Sequence, residues 1–452
     1  MQQAMPEGLD GATEVPVAGV VANRAHQPLA PGRAWLAIAI LLLIYIFAFI
    51  DRQILTLLVK PIQQDLGIGD LQTGLLLGPA FGIFYVVCGI FIGRLVDRLP
   101  RRAMIGAGVA VWASATAAGG FVRSYAGLFA SRMGVGVGES VLTPAAHAII
   151  AESFPARRLS TAIAIYSSGV AIGSSLAIAI GGLVVHWAGD QALTVPVLGP
   201  IRPWNLVLLA VGLSTFLILP LVLFLPDSKA PQVAAAPGEA EGLWMLLKRN
   251  WRIFILVPLG FGCTNIVVNA IFAWIPALLQ RSFGWEASAI GSAIGIQHAL
   301  FGLAGQLGTA MLADWLFARR MTDAHTRVQL WSLLVSIPLL ALGLVSGSAW
   351  MVLLLSTPFI MLSFPFLGYA NAAVQLLTPS RFRGRVSAIF LAIVTVMGTL
   401  FGAPLVGLAT QAGGMALGSA LALTTLLAGL AGVSILAMAG RALRAAHAGG
   451  LS

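Results

Sequence analysis

The sequence predicts an all-α membrane protein in which twelve transmembrane helices form two six-helix pseudo-repeats. Of the 452 residues, 58% are hydrophobic and only 9% are charged, whereas a soluble domain has about 25% charged residues. Long apolar runs recur along the chain, and they reach the roughly 20 residues that a helix needs to cross a bilayer. Because most basic residues lie in the loops between these runs, the net charge of +10 indicates membrane orientation and not a nucleic-acid partner.

The chain divides into two bundles with polar segments around them. No apolar core precedes Pro31, so we do not expect the N-terminal stretch to be a cleavable signal peptide. We expect a disordered cytoplasmic tail, a first bundle, a cytoplasmic linker, a second bundle and a second tail, at residues 1–33, 34–225, 226–251, 252–440 and 441–452. The predicted spans 1 to 12 are 34–58, 70–93, 101–122, 125–152, 158–187, 204–225, 252–280, 287–313, 327–347, 349–377, 386–411 and 415–440.

The distribution of Lys and Arg predicts that both termini are cytoplasmic. Most of the 26 basic residues lie in the tails or in loops on the same side as the tails. Cytoplasmic loops retain such residues. The opposite side of the membrane carries only Lys60, Arg123, Arg202 and Arg281.

The two cysteines lie in separate apolar runs, which predicts neither a disulfide nor a metal site. Short loops and few cysteines favour a bacterial inner membrane.

Internal repetition supports the division into two halves. Gly67 precedes Asp97 at the same spacing at which Gly284 precedes Asp314, and an arginine pair follows each aspartate. Two halves of equal orientation indicate a parallel duplication, which places a binding site near the bilayer midplane between them.

Two groups of motifs resemble known proteins. The loop 93–102, Gly-Arg-Leu-Val-Asp-Arg-Leu-Pro-Arg-Arg, resembles the signature loop of the major facilitator superfamily, with Pro100 where a glycine is usual. Within that superfamily, residues 49–55 (Phe-Ile-Asp-Arg-Gln-Ile-Leu) and residues 132–139 followed by Pro144 resemble the Spinster family. The resemblance implies a monomer with a central cavity lined by spans 1 and 4. It also implies substrates similar to lysophospholipids or sphingoid phosphates.

Four charged residues lie deep within the first bundle. Asp51 and Arg52 interrupt the apolar span 1, where each charge costs at least ~2.5 kcal/mol. Arg132 and Glu139 are seven residues apart, so they share one face of span 4, and Asp51 and Arg132 lie at similar depth. The four charges sum to zero, and protonating one carboxylate would free an arginine.

These charges predict the coupling site. Asp51 is the leading candidate for the coupling carboxylate, and Glu139 is either a second protonation site or the counter-ion of an arginine. Arg52 and Arg132 are expected to bind an anion, because guanidinium remains charged and binds carboxylate or phosphate bidentately. Two structural alternatives remain open: Asp51 and Arg52 neutralise each other, or Arg132 and Glu139 brace span 4 internally.

Other polar residues are weaker candidates. The second half lacks deeply embedded acids and arginines but has amides and many aromatic residues, which suits an amphipathic substrate with an anionic or zwitterionic head. Its predicted substrate-binding residues are Asn265, Asn269 and Gln297. The predicted conformational latch comprises Gly93, Asp97, Arg98, Arg101 and Arg102, although this loop also serves as a topology signal.

The sequence therefore predicts a proton-coupled secondary transporter that works by alternating access on a lipid-like amphiphile. Its expected partners are that small molecule, protons and membrane lipids. The alternative within transport is a proton-linked exporter of small organic anions or drugs. A membrane enzyme is disfavoured because no nucleophile–base pair or metal cluster is evident. No Walker loop or large soluble domain is evident either, so no nucleotide cofactor is expected. A ligand-sensing receptor remains a third possibility.

Overall fold

A computed structural model defines the fold. It describes residues 30–96, 99–154, 156–170, 172–177, 193–195, 199–226, 239–366 and 382–448, and also residues 370, 373, 374 and 378. Among these residues, ten helices are long and apolar enough to cross a membrane. Two further helices, Arg101–Gly119 and Ala156–Ser167, occupy the positions of predicted spans 3 and 5. The membrane-spanning part of the protein is helical, as predicted.

The first half follows the predicted order of spans. Spans 2 and 4 each consist of two consecutive helices, and span 6 ends in a 3-10 helix. Residues 178–187, the predicted end of span 5, lie outside the described residues. Spans 1 to 6 are Pro31–Leu57, then Asp70–Leu77 with Pro79–Val96, then Arg101–Gly119, then Tyr125–Glu139 with Leu142–Ser153, then Ala156–Ser167, and Pro203–Ile218 with Leu219–Phe224.

The second half also has the predicted spans, and several of its helices are longer than predicted. Span 7 runs for 33 residues, and span 8 contains one π-helical turn, His298–Gly302. Most of residues 367–377, where span 10 is predicted to end, lie outside the described residues. Spans 7 to 12 are Trp251–Phe283, then Ala287–Gln297 continued by Leu303–Ala318, then Ala324–Val345, Ala349–Leu362, Arg383–Gln411 and Leu417–Ala448.

Three short elements lie between the spans and were not predicted. The helix Val59–Leu66 follows span 1, and the helix Glu239–Arg249 lies within the predicted linker. A two-stranded antiparallel hairpin pairs Leu193–Val195 with Gly199–Ile201 before span 6. Their sequences are short and lack the long apolar run by which the spans were recognised.

Each half has its own hydrophobic core. In the first half, one core surrounds Trp112 and Tyr166 and another surrounds Trp204. The second-half core surrounds Phe261, Trp274 and further aromatic residues. Leu57, at the end of span 1, and Val59, at the start of the helix that follows it, belong to the second-half core. Contact between the halves is therefore part of the buried core at that end.

We call the side of the membrane on which span 1 begins the tail side and the other the far side. On the far side, glycines of span 2 pack directly against the backbone of span 11. A Cβ added at Gly74 would lie 2.6 Å from the carbonyl oxygen of Ala403. Arg281 of span 7 also forms an ion pair with Asp70, with Nη1 2.8 Å from Oδ1. The two halves are closed against each other on the far side.

Candidate functional site

The first ion pair of the site joins spans 1 and 4. Arg132 Nη1 donates to Asp51 Oδ1 at 2.9 Å. Thr116 of span 3 donates its hydroxyl to the other oxygen, Oδ2. Asp51 is 0% exposed and Arg132 is 4% exposed. Both oxygens of the Asp51 carboxylate therefore have a donor, as a buried charge requires.

The second ion pair joins the same two spans closer to the tail side. Arg52 directs both Nε, at 2.6 Å, and Nη2, at 2.5 Å, to Glu139 Oε2. The Glu139 side chain is 0% exposed, whereas 22% of the Arg52 side chain is exposed. Glu139 Oε1 is buried and has no hydrogen-bond partner among the described residues. Arg52 is thus the accessible member of the cluster, and Glu139 retains one unused acceptor.

Aromatic rings surround the guanidinium of Arg52. Its Cζ lies 4.8 Å from the Phe49 ring centroid, 4.6 Å from that of Phe81 and 4.9 Å from that of Tyr85. Cation–π attraction is stronger where water is excluded, about 2 kcal/mol or more per contact. The rings can hold the Arg52 cation near its position when its carboxylate partner changes.

Helix geometry explains why the ions pair between spans. Neighbouring residues on a helix point in different directions, so Asp51 and Arg52 do not face each other. Seven residues along span 4 correspond to a rise of about 10 Å, which separates Arg132 from Glu139. Both internal pairings considered from the sequence are therefore absent from the described ion pairs. The predicted similar depth of Asp51 and Arg132 is confirmed by their contact.

Sequence reasoning missed three residues of this site. Thr116 belongs to an apolar span, and no sequence pattern distinguished it as a site residue. Phe81 and Tyr85 are four residues apart on span 2, so they share a helix face. That spacing was a usable signal. It became meaningful only once span 2 was placed against Arg52.

The predicted amides of the second half lie apart from the ion pairs. Asn265 donates to Val394 O of span 11 at 2.9 Å, and Asn269 donates to Asn265 O at 2.9 Å. Gly398 of span 11 packs directly on both amides, so spans 7 and 11 approach each other closely here. In this conformation the two asparagines bind backbone and each other.

Gln297 links span 8 to span 10 by hydrogen bonds. Its Nε2 donates to Leu353 O at 2.7 Å and to the hydroxyls of Ser356 and Thr357, each at 3.0 Å. The neighbouring His298 uses Nδ1 toward Ile294 O at 2.8 Å. Its ring packs on Phe272 and Phe364, so His298 is a packing residue in this structure.

A groove of about 770 Å³ lies beside Gln297 between spans 8 and 10. Apolar and aromatic side chains dominate its lining. At its far-side end Trp285 and Trp350 pack edge to face, with ring centroids 5.0 Å apart. The residues along it include Ile296, Phe301, Leu353 and Leu354. The second half thus offers an apolar groove at this position.

The described residues include only part of the predicted latch. Gly93 lies near the end of span 2, and Asp97 and Arg98 lie outside the described residues. Arg101 forms an ion pair with Glu152 at the end of span 4. Arg102 Nη1 donates to Leu223 O at 3.3 Å. These two contacts tie spans 3, 4 and 6 together within the first half on the tail side.

The helical fold is that of a membrane transporter. Residues 41–403 match the family model described as Major Facilitator Superfamily. The chain belongs to the major facilitator superfamily, whose members are transporters and not enzymes.

Individual proteins of known name or structure also resemble this chain. It is 29% identical over 406 residues to an MFS-type efflux pump of Mycolicibacterium smegmatis, covering 87% of this chain and 89% of that protein. It is 26% identical to Protein spinster of Drosophila melanogaster, covering 72% of this chain and 53% of the relative. The chain therefore spans about half the length of that spinster protein.

A solved structure is also similar to this chain. It is the crystal structure of a bacterial homolog to the human lysosomal transporter Spinster, inward-facing and unoccupied. It matches with a TM-score of 0.76 and 24% identity, covering 92% of this chain and 97% of the other. The predicted resemblance to Spinster proteins is confirmed.

Proposed function

We propose that the protein is a proton-coupled secondary transporter for an amphipathic, lipid-like substrate with an anionic or zwitterionic head. The observation that carries this proposal is the pair of buried, mutually neutral ion pairs joining spans 1 and 4. Only one of the four residues, Arg52, is appreciably exposed. Such a cluster is stable while neutral and becomes unbalanced when one carboxylate is protonated.

Glu139 and Asp51 are the proposed proton acceptors. Asp51 has a donor on each oxygen, whereas Glu139 Oε1 has none among the described residues. A proton placed on Glu139 would use this free oxygen and remove the charge that holds Arg52. In this conformation we therefore place the first proton on Glu139. Asp51 follows when rearrangement of span 1 separates it from Thr116 and Arg132.

Arg52 and Arg132 are the proposed binders of the substrate's anionic head. Once Glu139 is neutral, the Arg52 guanidinium can present two parallel N–H groups to a phosphate or carboxylate. The three rings around it keep it from moving away with its former partner. The apolar remainder of the substrate would lie against the second half, where the groove beside Gln297 supplies apolar surface. Asn265 and Asn269 are proposed to contact the substrate only after their mutual bonds open.

Transport would proceed by alternating access of two rocking bodies, residues 34–225 and 252–440. The closed far side corresponds to a state that opens toward the tail side. Asp97, Arg98, Arg101 and Arg102 with Gly93 are proposed as the tail-side latch of the opposite state. We further propose that the tail side is cytoplasmic, that the membrane is a bacterial inner membrane and that the protein acts as a monomer.

The test is lysophospholipid uptake into liposomes that contain the purified protein, with and without an imposed pH gradient. A gradient of about one pH unit supplies about 1.4 kcal/mol per proton, enough for about tenfold accumulation. We expect the gradient to drive uptake by the wild type but not by Asp51→Asn or Glu139→Gln. Equal, gradient-independent uptake by all three proteins would leave a facilitator. No lysophospholipid movement would refute the substrate class.

Arg52→Gln is expected to raise the KM for the anionic substrate more than tenfold. Loss of a charge-assisted bidentate contact costs about 1.5–3 kcal/mol, which corresponds to this change. Uptake kinetics in the same liposomes measure it. Lys60→Gln, which removes an exposed cation on the far side, is the matched control and should leave KM within about twofold. An unchanged KM in Arg52→Gln would show that the head binds elsewhere.

A second candidate function is export of small organic anions or drugs. The 29% identity to an MFS-type efflux pump over most of both chains favours it. The same ion pairs would serve that substrate class. Competition separates the two functions: lysophospholipids should block transport of a hydrophobic fluorescent dye if both share the site. Dye transport that lysophospholipids leave unchanged would favour the exporter.

A further inference from the structure

A helix in the segment between the two halves carries an exposed surface of tryptophan and basic residues. The helix Glu239–Arg249 ends one residue before span 7 begins at Trp251. We define the linker patch as its exposed residues and those of the adjoining first turn of span 7. These residues are Trp244, Met245, Lys248, Arg249, Trp251 and Arg252.

The packing of the helix determines which side is exposed. Leu246 and Leu247 pack against the second-half core. The opposite surface leaves Trp244 59%, Met245 65% and Trp251 54% exposed. Three large apolar side chains in water are unfavourable at roughly 25 cal/mol per Å² of apolar surface. The patch is therefore expected to be covered by something apolar in the membrane-embedded protein.

The charges of the linker patch indicate what covers it. Lys248 Nζ lies 5.1 Å from the Trp244 ring centroid, and Arg252 Cζ lies 5.7 Å from that of Trp251. The patch itself contains three cations and no acid. The glutamates of the helix, Glu239 and Glu241, lie near its start, about 10 Å or more along the axis from Lys248. The surface thus combines apolar rings with net positive charge.

A structural role explains only part of this arrangement. Lys248 and Arg249 lie in the last turn of their helix, where cations stabilise the helix dipole. Arg252, however, lies in the first turn of the 33-residue span 7, where a cation is disfavoured. Dipole compensation also gives no reason for the exposed rings of Trp244 and Trp251. An external amphiphile whose anionic group lies near Arg252 accounts for the cations and the exposed rings together.

We propose that the linker patch binds the headgroup of an anionic phospholipid at the tail-side surface of the membrane. Tryptophan rings prefer the boundary between headgroups and acyl chains. Amphipathic helices with Lys and Arg beside apolar residues lie in that boundary and select anionic lipids. The patch adjoins the beginning of span 7, so it lies at this boundary. This inference is independent of the transported substrate.

Lipid selectivity of the full-length protein tests the proposal. The protein is equilibrated in nanodiscs of phosphatidylcholine with a minor fraction of phosphatidylglycerol, and retained lipids are counted by native mass spectrometry. Each Lys or Arg near an anionic surface is worth about fivefold in binding. The variant Lys248→Gln/Arg249→Gln/Arg252→Gln should therefore lose on the order of 100-fold in selectivity for phosphatidylglycerol. Trp244→Ala/Trp251→Ala, which retains the cations, should also lose affinity.

The matched control removes three other exposed tail-side cations, in the variant Arg158→Gln/Arg320→Gln/Arg441→Gln. These cations lie on different elements, and no cation–π contact is described for them, so we expect a loss of selectivity much smaller than that of the linker-patch variant. Equal losses in both triple variants would show a diffuse positive surface and overturn the proposal. A wild type without preference for phosphatidylglycerol would also overturn it. A wild type whose linker patch retained a protein partner in place of the lipid would overturn it as well. Unchanged unfolding temperatures confirm that the variants are folded.

Discussion

The variant Arg132→Met is expected to destabilise the protein by about 3–5 kcal/mol. The substitution leaves the Asp51 carboxylate, which is 0% exposed, without its only described cationic hydrogen-bond partner. Removing one member of a buried ion pair typically has this cost, because the remaining charge is uncompensated. Equilibrium unfolding of the purified protein in detergent micelles measures it.

Two companion variants make the result specific. Arg327→Met removes a cation from the buried Asp323, which still accepts a hydrogen bond from Arg444, so the expected loss is about 1 kcal/mol or less. Asp51→Asn/Arg132→Met removes both charges and should recover most of the lost stability, since neutral replacements of buried pairs are often tolerated. If Arg132→Met were as stable as the wild type, Asp51 would already carry a proton in the folded protein.

The variant Gly74→Leu is expected to reduce transport more than tenfold by preventing closure of the far side. Its Cβ would lie 2.6 Å from the Ala403 carbonyl oxygen, a backbone atom of span 11 that cannot rotate away. A helix interface that relies on glycine approach cannot accept a larger side chain without separating. Spans 2 and 11 would then be held apart in every transport cycle.

Spin labels at Lys60 and Glu286 report this change, because both positions are exposed on the far side and belong to different halves. In Gly74→Leu the distance distribution between the labels should move to longer values than in the wild type. Gly89→Leu is the matched control within span 2, since no atom lies within 4 Å of a Cβ at that position. Unchanged distances with normal uptake in Gly74→Leu would show that far-side closure does not depend on this contact.

Much of the architecture followed from local chemistry alone. A run of about 20 apolar residues has few alternatives to a membrane-spanning helix, because unpaired backbone groups are costly in lipid. Most spans were therefore predicted to within a few residues, apart from segments outside the described residues. Span 12 is an exception, because its helix continues to Ala448, eight residues into the predicted C-terminal tail. The breaks near Gly78 and at Ser140–Val141, and the π-helical turn at His298–Gly302, were not predicted. They depend on how neighbouring spans pack.

By itself the sequence determined that the protein is a two-half membrane transporter and which four charged residues form its buried cluster, because ions are too costly in an apolar span to be placed there without partners. Only the tertiary structure decided how they pair: Asp51 with Arg132, and Arg52 with Glu139. It also decided that Thr116, Phe81 and Tyr85 join them. The physical reason is that pairing depends on the rotation and depth of one helix relative to another. These are properties of packing between spans, and no local sequence pattern encodes them.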